Sequence, residues 1–316
     1  MILTWSSPLA DRFRNLDVRD GVLLRGPAGW AEFSPFWDYD DAECVPWLRA
    51  AVEAATLPFP DAVRTSVHVN ATVPAVGPER AAEIVRASGC ATVKVKVAQA
   101  GQSLADDLDR VAAVRDALGP AGAIRVDANA AWSVDEAVAA LPRIDRAAGG
   151  LQYAEQPCAA VDDLARVRRA VAVPIAADES IRRASDPHAV VRAEAADVIV
   201  VKVQPLGGVR ACLALAEELG LPVTVSSALE SSVGVAAGVA LAAALPRTNA
   251  AGLATVAMLR ADVAATPLLP VDGELPVGRV VPDAITPAAP DLDRAWRDRL
   301  DRVAALAGID LQEVLA

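Results

Sequence analysis

Apolar and polar positions alternate along this chain in two rhythms. From residue 65 onward a short β-branched run recurs, each time followed by a longer stretch whose apolar positions fall three and four apart. The runs at 65–75, 92–97, 124–129, 151–155, 175–178, 198–203, 223–227 and 252–255 predict eight strands. Helices are predicted between them at 78–88, 106–118, 133–147, 161–170, 186–195, 208–220 and 232–245. Eight strands with intervening helices close most naturally into an α/β fold of the (β/α)8 TIM-barrel type, with chemistry at the C-terminal ends of the strands. The rival is an open doubly wound sheet, but no Gly-x-Gly-x-x-Gly follows the first strand to make a nucleotide crevice.

The first 60 residues have a different character. They hold Trp5, Trp30, Trp37 and Trp47, four of the six tryptophans, and all four phenylalanines: Phe13, Phe33, Phe36 and Phe59. A small α+β domain with its own aromatic core is predicted, with strands at 18–25 and 29–33 and a helix at 40–55 capped by Asp40 or Asp41. Arg12, Phe13 and Arg14 fall in a polar connection and are expected to form a mobile lid over a ligand. Past residue 262 the barrel rhythm stops. Pro267, Pro270, Pro276 and Pro282 punctuate a ribbon expected to return to the first domain, and 291–306 reads as a surface helix without a chemical role. The expected division is a capping domain of residues 1–62, completed by 262–316, on a barrel of residues 63–261.

Composition narrows the setting. No run resembles a membrane span or a signal peptide, although 53% of the residues are hydrophobic. Cys44, Cys90, Cys158 and Cys212 are far apart and read as reduced thiols, which points to the cytoplasm. A net charge of −11 argues against a nucleic-acid partner, and neither a membrane nor an obligate protein partner is evident. The expected partner is a small-molecule carboxylate.

Three of the predicted strands end in a carboxylate: Asp127, Glu155 and Asp178, separated by 28 and 23 residues. One βα repeat has that length, so the three acids should reach the same rim of adjacent strands. Converging carboxylates repel unless a cation sits among them, and oxygen ligands suit a hard ion such as magnesium, with manganese as a substitute. Any one of them alone would more simply be a loop residue or a helix cap. Of the 30 basic residues only Lys94, Lys96 and Lys202 are lysine. Arginine cannot give up its proton, whereas lysine can, so these three are the candidates for proton transfer rather than solubility devices on edge strands. Strand parity places Lys94 with Lys96, Arg125 with Asp127 and Asn129, and Tyr153 with Glu155 on inward faces. Lys96 then lies one strand before the carboxylates and Lys202 one strand after them. Lys94 and a bound cation beside Lys96 would favour its neutral amine. Glu179 is expected to point away from Asp178 and to support the ligands from outside. His68 and His188 read as structural. Removal of a proton α to a metal-bound carboxylate is the chemistry these parts can perform.

The set Lys94-Val95-Lys96, Asp127-Ala128-Asn129, Glu155-Gln156-Pro157, Asp178-Glu179-Ser180 and Lys202 resembles the enolase superfamily, in its branch of muconate-lactonizing enzymes, across roughly residues 20 to 275. The segments 69–74, 155–158, 203–208 and 226–234 are most similar to actinobacterial members that dehydrate 2-succinyl-6-hydroxy-2,4-cyclohexadiene-1-carboxylate to o-succinylbenzoate for menaquinone. The resemblance implies Lys96 as base and then acid on one face, and Lys202 as a fixed ammonium. It also implies that Arg125 helps hold the intermediate, and that Phe13 and the backbone around Ser226 and Ser227 receive the succinyl arm. Racemases of N-succinylamino acids and dipeptide epimerases share the same metal and lysines. A non-catalytic ligand-binding barrel would have no use for the complete set. Ala130 and Ala254 stand where the family often has glycine.

Overall fold

The computed structural model describes residues 1–316 and contains the two units that the two rhythms imply. The chain opens with an antiparallel sheet of β1 (Ile2–Phe13), β2 (Leu16–Gly26) and β3 (Gly29–Phe33). Strand β1 was not foreseen. Arg12 and Phe13 end it, and only Arg14 and Asn15, at φ 51° and 62°, form the turn. Two left-handed residues make a tight hairpin, so the expected mobile lid is a hairpin tip. Helix α1 (Val45–Thr56) begins later than expected, because residues 41–44 turn before Pro46 starts it.

The barrel is a seven-stranded parallel sheet. Its strands in order are β5 (Asn70–Val73), β6 (Thr92–Lys96), β7 (Ala123–Asp127), β8 (Leu151–Glu155), β9 (Ile175–Ala177), β10 (Val198–Lys202) and β11 (Val223–Ser226). The run at 65–75 is split, since β4 (Ser66–His68) precedes β5 and pairs antiparallel with β12 (Glu274–Pro276). Leu275, in the returning ribbon, therefore lies in the barrel's core and not in the cap's.

The predicted eighth strand is only two residues deep. Ala251 bridges to Val69 and Gly252 to Ser226, after which Ala254–Met258 turns as a 3-10 helix towards the cap. The barrel closes through Asn70 N–H to the Ala251 carbonyl at 2.8 Å and Gly252 N–H to the Val225 carbonyl at 2.8 Å. Glycine is needed here, because a Cβ at 252 would stand 2.8 Å from Ser226 Oγ. Helices follow the other strands as expected: α2 (Pro78–Ser88), α3 (Leu104–Leu118), α4 (Val134–Ala148), α5 (Val161–Ala170), α8 (Val209–Leu219) and α9 (Ser232–Ala244). The exception is the single helix expected at 186–195. Two short helices, α6 (Glu179–Arg182) and α7 (Ala189–Arg192), stand in this region, since Pro187 lies in the turn that precedes the second and Glu194, at φ 51°, follows its end.

Two apolar cores result. The larger fills the layer between the barrel strands and the helices around them, while the second gathers Trp5, Phe33, Phe36, Tyr39 and Trp47 of the cap with Leu229, Val233 and Met258 from the barrel mouth; a small cluster of Tyr153, Ala176, Val198 and Val200 fills the barrel interior. Helix α10 (Pro290–Ala307) is no mere surface helix, since Trp296, Leu300 and Val303 are buried in that second core. Its buried Arg299 donates to the carbonyls of Phe36 and Tyr39 at 3.0 and 2.6 Å. The four cysteines are free and buried, and no helix is long and apolar enough to cross a membrane.

Candidate active site

Strand register sets the site. Lys96, Asp127 and Glu155 are direct neighbours on β6, β7 and β8, and Lys202 is level with Ser226 on β10 and β11. Glu155 pairs with Ala176, two residues before Asp178. All three lysines and all three carboxylates are buried, at 9% exposure or less. Burial at this density forces pairing. Lys94 Nζ reaches both Glu155 oxygens at 3.0 Å and Asp127 Oδ2 at 3.2 Å. Lys96 Nζ donates to Asp127 Oδ2 at 2.5 Å and Asn129 Oδ1 at 2.6 Å, and Lys202 Nζ to Asp178 Oδ2 at 2.6 Å.

The electrostatics follow from these pairs. Burial opposes the charge of Asp127, but the ammonium groups of Lys96 and Lys94 outweigh it and hold the carboxyl well below its usual range. Asp178 is lowered in the same way, with burial overcome by Arg182 and Lys202. Burial also works against the ammonium of Lys94, yet Glu155 and Asp127 lift its pKa far above the ordinary lysine value. Lys202 goes the other way. Burial, helped by Arg182 and Lys94 and opposed by Asp178, favours its neutral amine. Glu155 is pushed up to about 7, first by burial and then by Asp127 and Asp178, against the pull of Lys94.

That carboxylate crowding bears on the metal. No three acidic, histidine or cysteine side chains are close enough to close on an ion as they stand, because the lysine ammonium groups lie on the carboxylates. The donor set nevertheless fits a hard dication. It offers three buried carboxylates, one of them, Glu155, disfavoured as an anion by the other two, while a fourth acid, Glu179, keeps a buried Oε2 without a partner.

Several residues that the sequence reading missed hold this cluster. Gln156, at φ 40°, accepts from Asp178 N–H at 2.9 Å and Ser180 N–H at 3.2 Å. Arg182 donates to Asp178 Oδ1 at 3.0 Å and also bonds Glu179 and the Tyr39 hydroxyl of the cap. Arg110 on α3 donates to the carbonyl of Lys96 itself at 2.9 Å. Gln156 lies inside a motif already singled out, whereas Arg182 and Arg110 are hidden among many arginines. Glu179 does not point away as expected. It accepts from Asn129 Nδ2 at 3.3 Å and from Arg182, and so joins the cluster.

The mouth cavity is lined by Phe13, Lys94, Lys96, Asn129, Lys202, Ser226 and Ser227, so those candidates do come together. The Phe13 ring lies over Lys96 Nζ at 5.2 Å. Phe13 and Arg14 also line a larger outer cavity of about 340 Å³, which places the hairpin tip between the inner site and solvent. Arg125 corrects an expectation. Its guanidinium turns down the barrel to Asn70 Oδ1 at 2.9 Å, Gln152 Oε1 at 2.6 Å and the Ala250 carbonyl at 2.7 Å, near the starts of the strands and away from the mouth. His68 and His188 stand outside the site, beside Glu274 and Glu218.

A barrel with lysines facing each other over strand-end carboxylates, beneath an α+β cap, defines an enzyme class. Residues 78–285 match the enolase C-terminal domain-like family and residues 4–55 the enolase N-terminal domain-like family, and the chain belongs to the enolase superfamily. It is 62% identical over 295 residues to o-succinylbenzoate synthase of Thermobifida fusca, covering 93% of this chain and 92% of that one. With o-succinylbenzoate synthase of Mycolicibacterium smegmatis the identity is 52% over 303 residues, covering 94% and 92%. Among solved structures, the L-Ala-D/L-Glu epimerase from Bacillus subtilis superposes with a TM-score of 0.76 at 24% identity, covering 92% of this chain and 98% of that one. Muconate lactonizing enzyme from Pseudomonas fluorescens does so with a TM-score of 0.75 at 20% identity, covering 95% and 96%. These two likenesses concern the fold alone.

Proposed function

We propose that this chain forms o-succinylbenzoate by dehydrating 2-succinyl-6-hydroxy-2,4-cyclohexadiene-1-carboxylate, as a hydro-lyase of the cytoplasm serving menaquinone synthesis. The observation that carries the reading is the cavity walled by Lys96 and Lys202 from opposite sides of the barrel, together with the names of relatives matched over nearly the whole chain. Asp127, Glu155 and Asp178 are assigned to hold magnesium, or manganese in its place. When bound, the ion neutralises charge that grows on the substrate carboxylate as the α-proton leaves.

The chain's own groups supply the remainder. Lys96, as amine, takes the α-proton, and the electron pair moves into the carboxylate to give an enediolate. As the pair returns to the ring, the C–O bond breaks and Lys96 gives its proton to the departing hydroxyl, so water leaves and the amine is restored. Lys202 stays charged on the opposite face, where its bond to Asp178 at 2.6 Å holds the ammonium against the burial that lowers its pKa, and stabilises the enediolate. Asn129 orients Lys96 through their bond at 2.6 Å, and Lys94 holds Glu155 and Asp127 in place. Phe13, Arg14, Ser226 and Ser227 surround the succinyl arm, and Arg14 is the cation there to meet its carboxylate.

Turnover of the cyclohexadiene carboxylate, followed by its loss of absorbance with magnesium present, tests the proposal. Rapid deuterium exchange from both faces of an N-succinylamino acid, with no dehydration, would replace it with a racemase.

A further inference from the structure

The loop from Ser226 to Ser231 forms one wall of the mouth, and its shape is only partly of its own making. Leu229 sits in it at φ 65°, a left-handed backbone that is unfavourable for a leucine and persists only where surroundings impose it. Part of the restraint is local: Glu230 accepts from Ser227 Oγ at 2.5 Å and Ala228 N–H at 2.7 Å, and Ser227 Oγ accepts from Leu229 N–H and from Thr255 Oγ1, both at 2.8 Å. The rest comes from the cap. Arg19 of β2, 2% exposed, donates through Nε to the Leu229 carbonyl at 3.1 Å and through Nη2 to the Ala228 carbonyl at 3.4 Å. The same guanidinium is anchored on the Asp20 carbonyl at 2.8 Å and the Ser34 carbonyl, and lies 4.5 Å from the ring centre of Phe36, another wall of the cavity. Glu32 of β3 fixes the loop's far end, accepting from Ser231 and Gly234 N–H at 3.1 Å at the start of α9.

We propose that Arg19 is a positioning residue that sets substrate specificity: the cap, through this one guanidinium, holds the Ala228–Leu229 wall in the strained shape that receives the substrate's acyl arm. The inference rests on the reading of the mouth given above. Arg19 touches neither lysine nor any strand-end carboxylate, so its effect belongs to arm recognition and not to proton transfer. A lysine at 19 keeps the charge but cannot span the Leu229, Ala228, Ser34 and Asp20 carbonyls together.

The experiment compares the unsubstituted enzyme with Arg19→Lys, loaded with magnesium, on the succinyl-bearing cyclohexadiene carboxylate and on an analogue with a shorter, uncharged acyl arm. The expected result is a KM for the succinyl substrate raised about tenfold with kcat changed less than about threefold, and a matching loss of preference over the short-arm analogue. In a Leu229→Gly background, where the left-handed backbone carries no steric penalty, the same Arg19 change should raise KM by less than about threefold. Should Arg19→Lys not fold, Arg19→Gln is measured with the same readouts. Unchanged KM and preference in a folded variant, or a fall in kcat alone, overturns the inference. Absence of dehydration by the unsubstituted enzyme would instead sink the functional reading on which it rests.

Discussion

Lysine is so scarce in this chain that its positions could be read as chemistry, and the structure brings all three to one cavity. Lys96→Arg should keep the charge that pairs with Asp127 and therefore keep the fold, while turnover falls at least about a thousandfold because the base is gone. Circular dichroism melts beside steady-state rates check both halves. Residues whose importance lies in a backbone bond, such as Gln156 and Arg110, carried no such mark, because glutamine and arginine serve many structural ends. Arg125 was misjudged for a related reason. Parity gives the face of a strand, but not whether a long side chain turns up or down the barrel. Five non-glycine residues with left-handed backbones, Ala98, Asn129, Ala130, Gln156 and Leu229, ring the mouth just past the strand ends. Ala130, at φ 63°, stands where the family often has glycine. Ala130→Gly should lower local strain and leave stability unchanged or raised by up to about 1 kcal/mol, measured by denaturant midpoint.

At the scale of elements, strands and long helices were legible because the periodicities of 2 and 3.6 are written into the positions of valine, alanine and leucine. Two of the misjudged places lie in the barrel and are short, whereas the unforeseen β1 runs twelve residues. The last barrel strand is set by the close approach that Gly252 permits, and the start of α7 by the turn at Pro187, neither of which leaves a periodic trace. Capping across units is also invisible to sequence. Glu32 seats on the N-terminal end of α9, and burial, against hydrogen bonds from Ser231 and Ser34, pushes its pKa up to about 7. Between its ordinary value near 4.5 and about 7 the folded chain then holds a proton that the unfolded chain has released. Stability from this group is present at low pH and is lost as pH rises through that window. Glu32→Gln should remove that slope, worth on the order of 1–3 kcal/mol, which denaturant melts at pH 5 and pH 7.5 with a chelator present would show.

For the whole molecule, the crowding of Asp127, Glu155 and Asp178 should couple the proposed metal to stability. Exhaustive chelation should abolish turnover and lower the melting temperature, and magnesium should restore both, since an ion bound only by the folded state stabilises it by mass action. Turnover that survives chelation would separate the chemistry from the metal. That a capping domain precedes the barrel was legible because tryptophan and phenylalanine cluster early, but the contacts at the mouth were not, since they join residues as far apart in sequence as Arg19 and Leu229, 210 positions.

The two-residue closing strand makes the barrel resemble a cask with one short stave, held at that seam by a few main-chain bonds. Directly after it the chain passes through Met258 and Leu259 into the core that Trp296 and Leu300 complete. The cap is therefore a hoop as well as a lid. Deleting residues 290–316 should not simply shed a surface helix. It should loosen the seam, so that cap and barrel lose their cooperative melt together and the amides around Gly252 exchange with solvent long before those of β7 and β8.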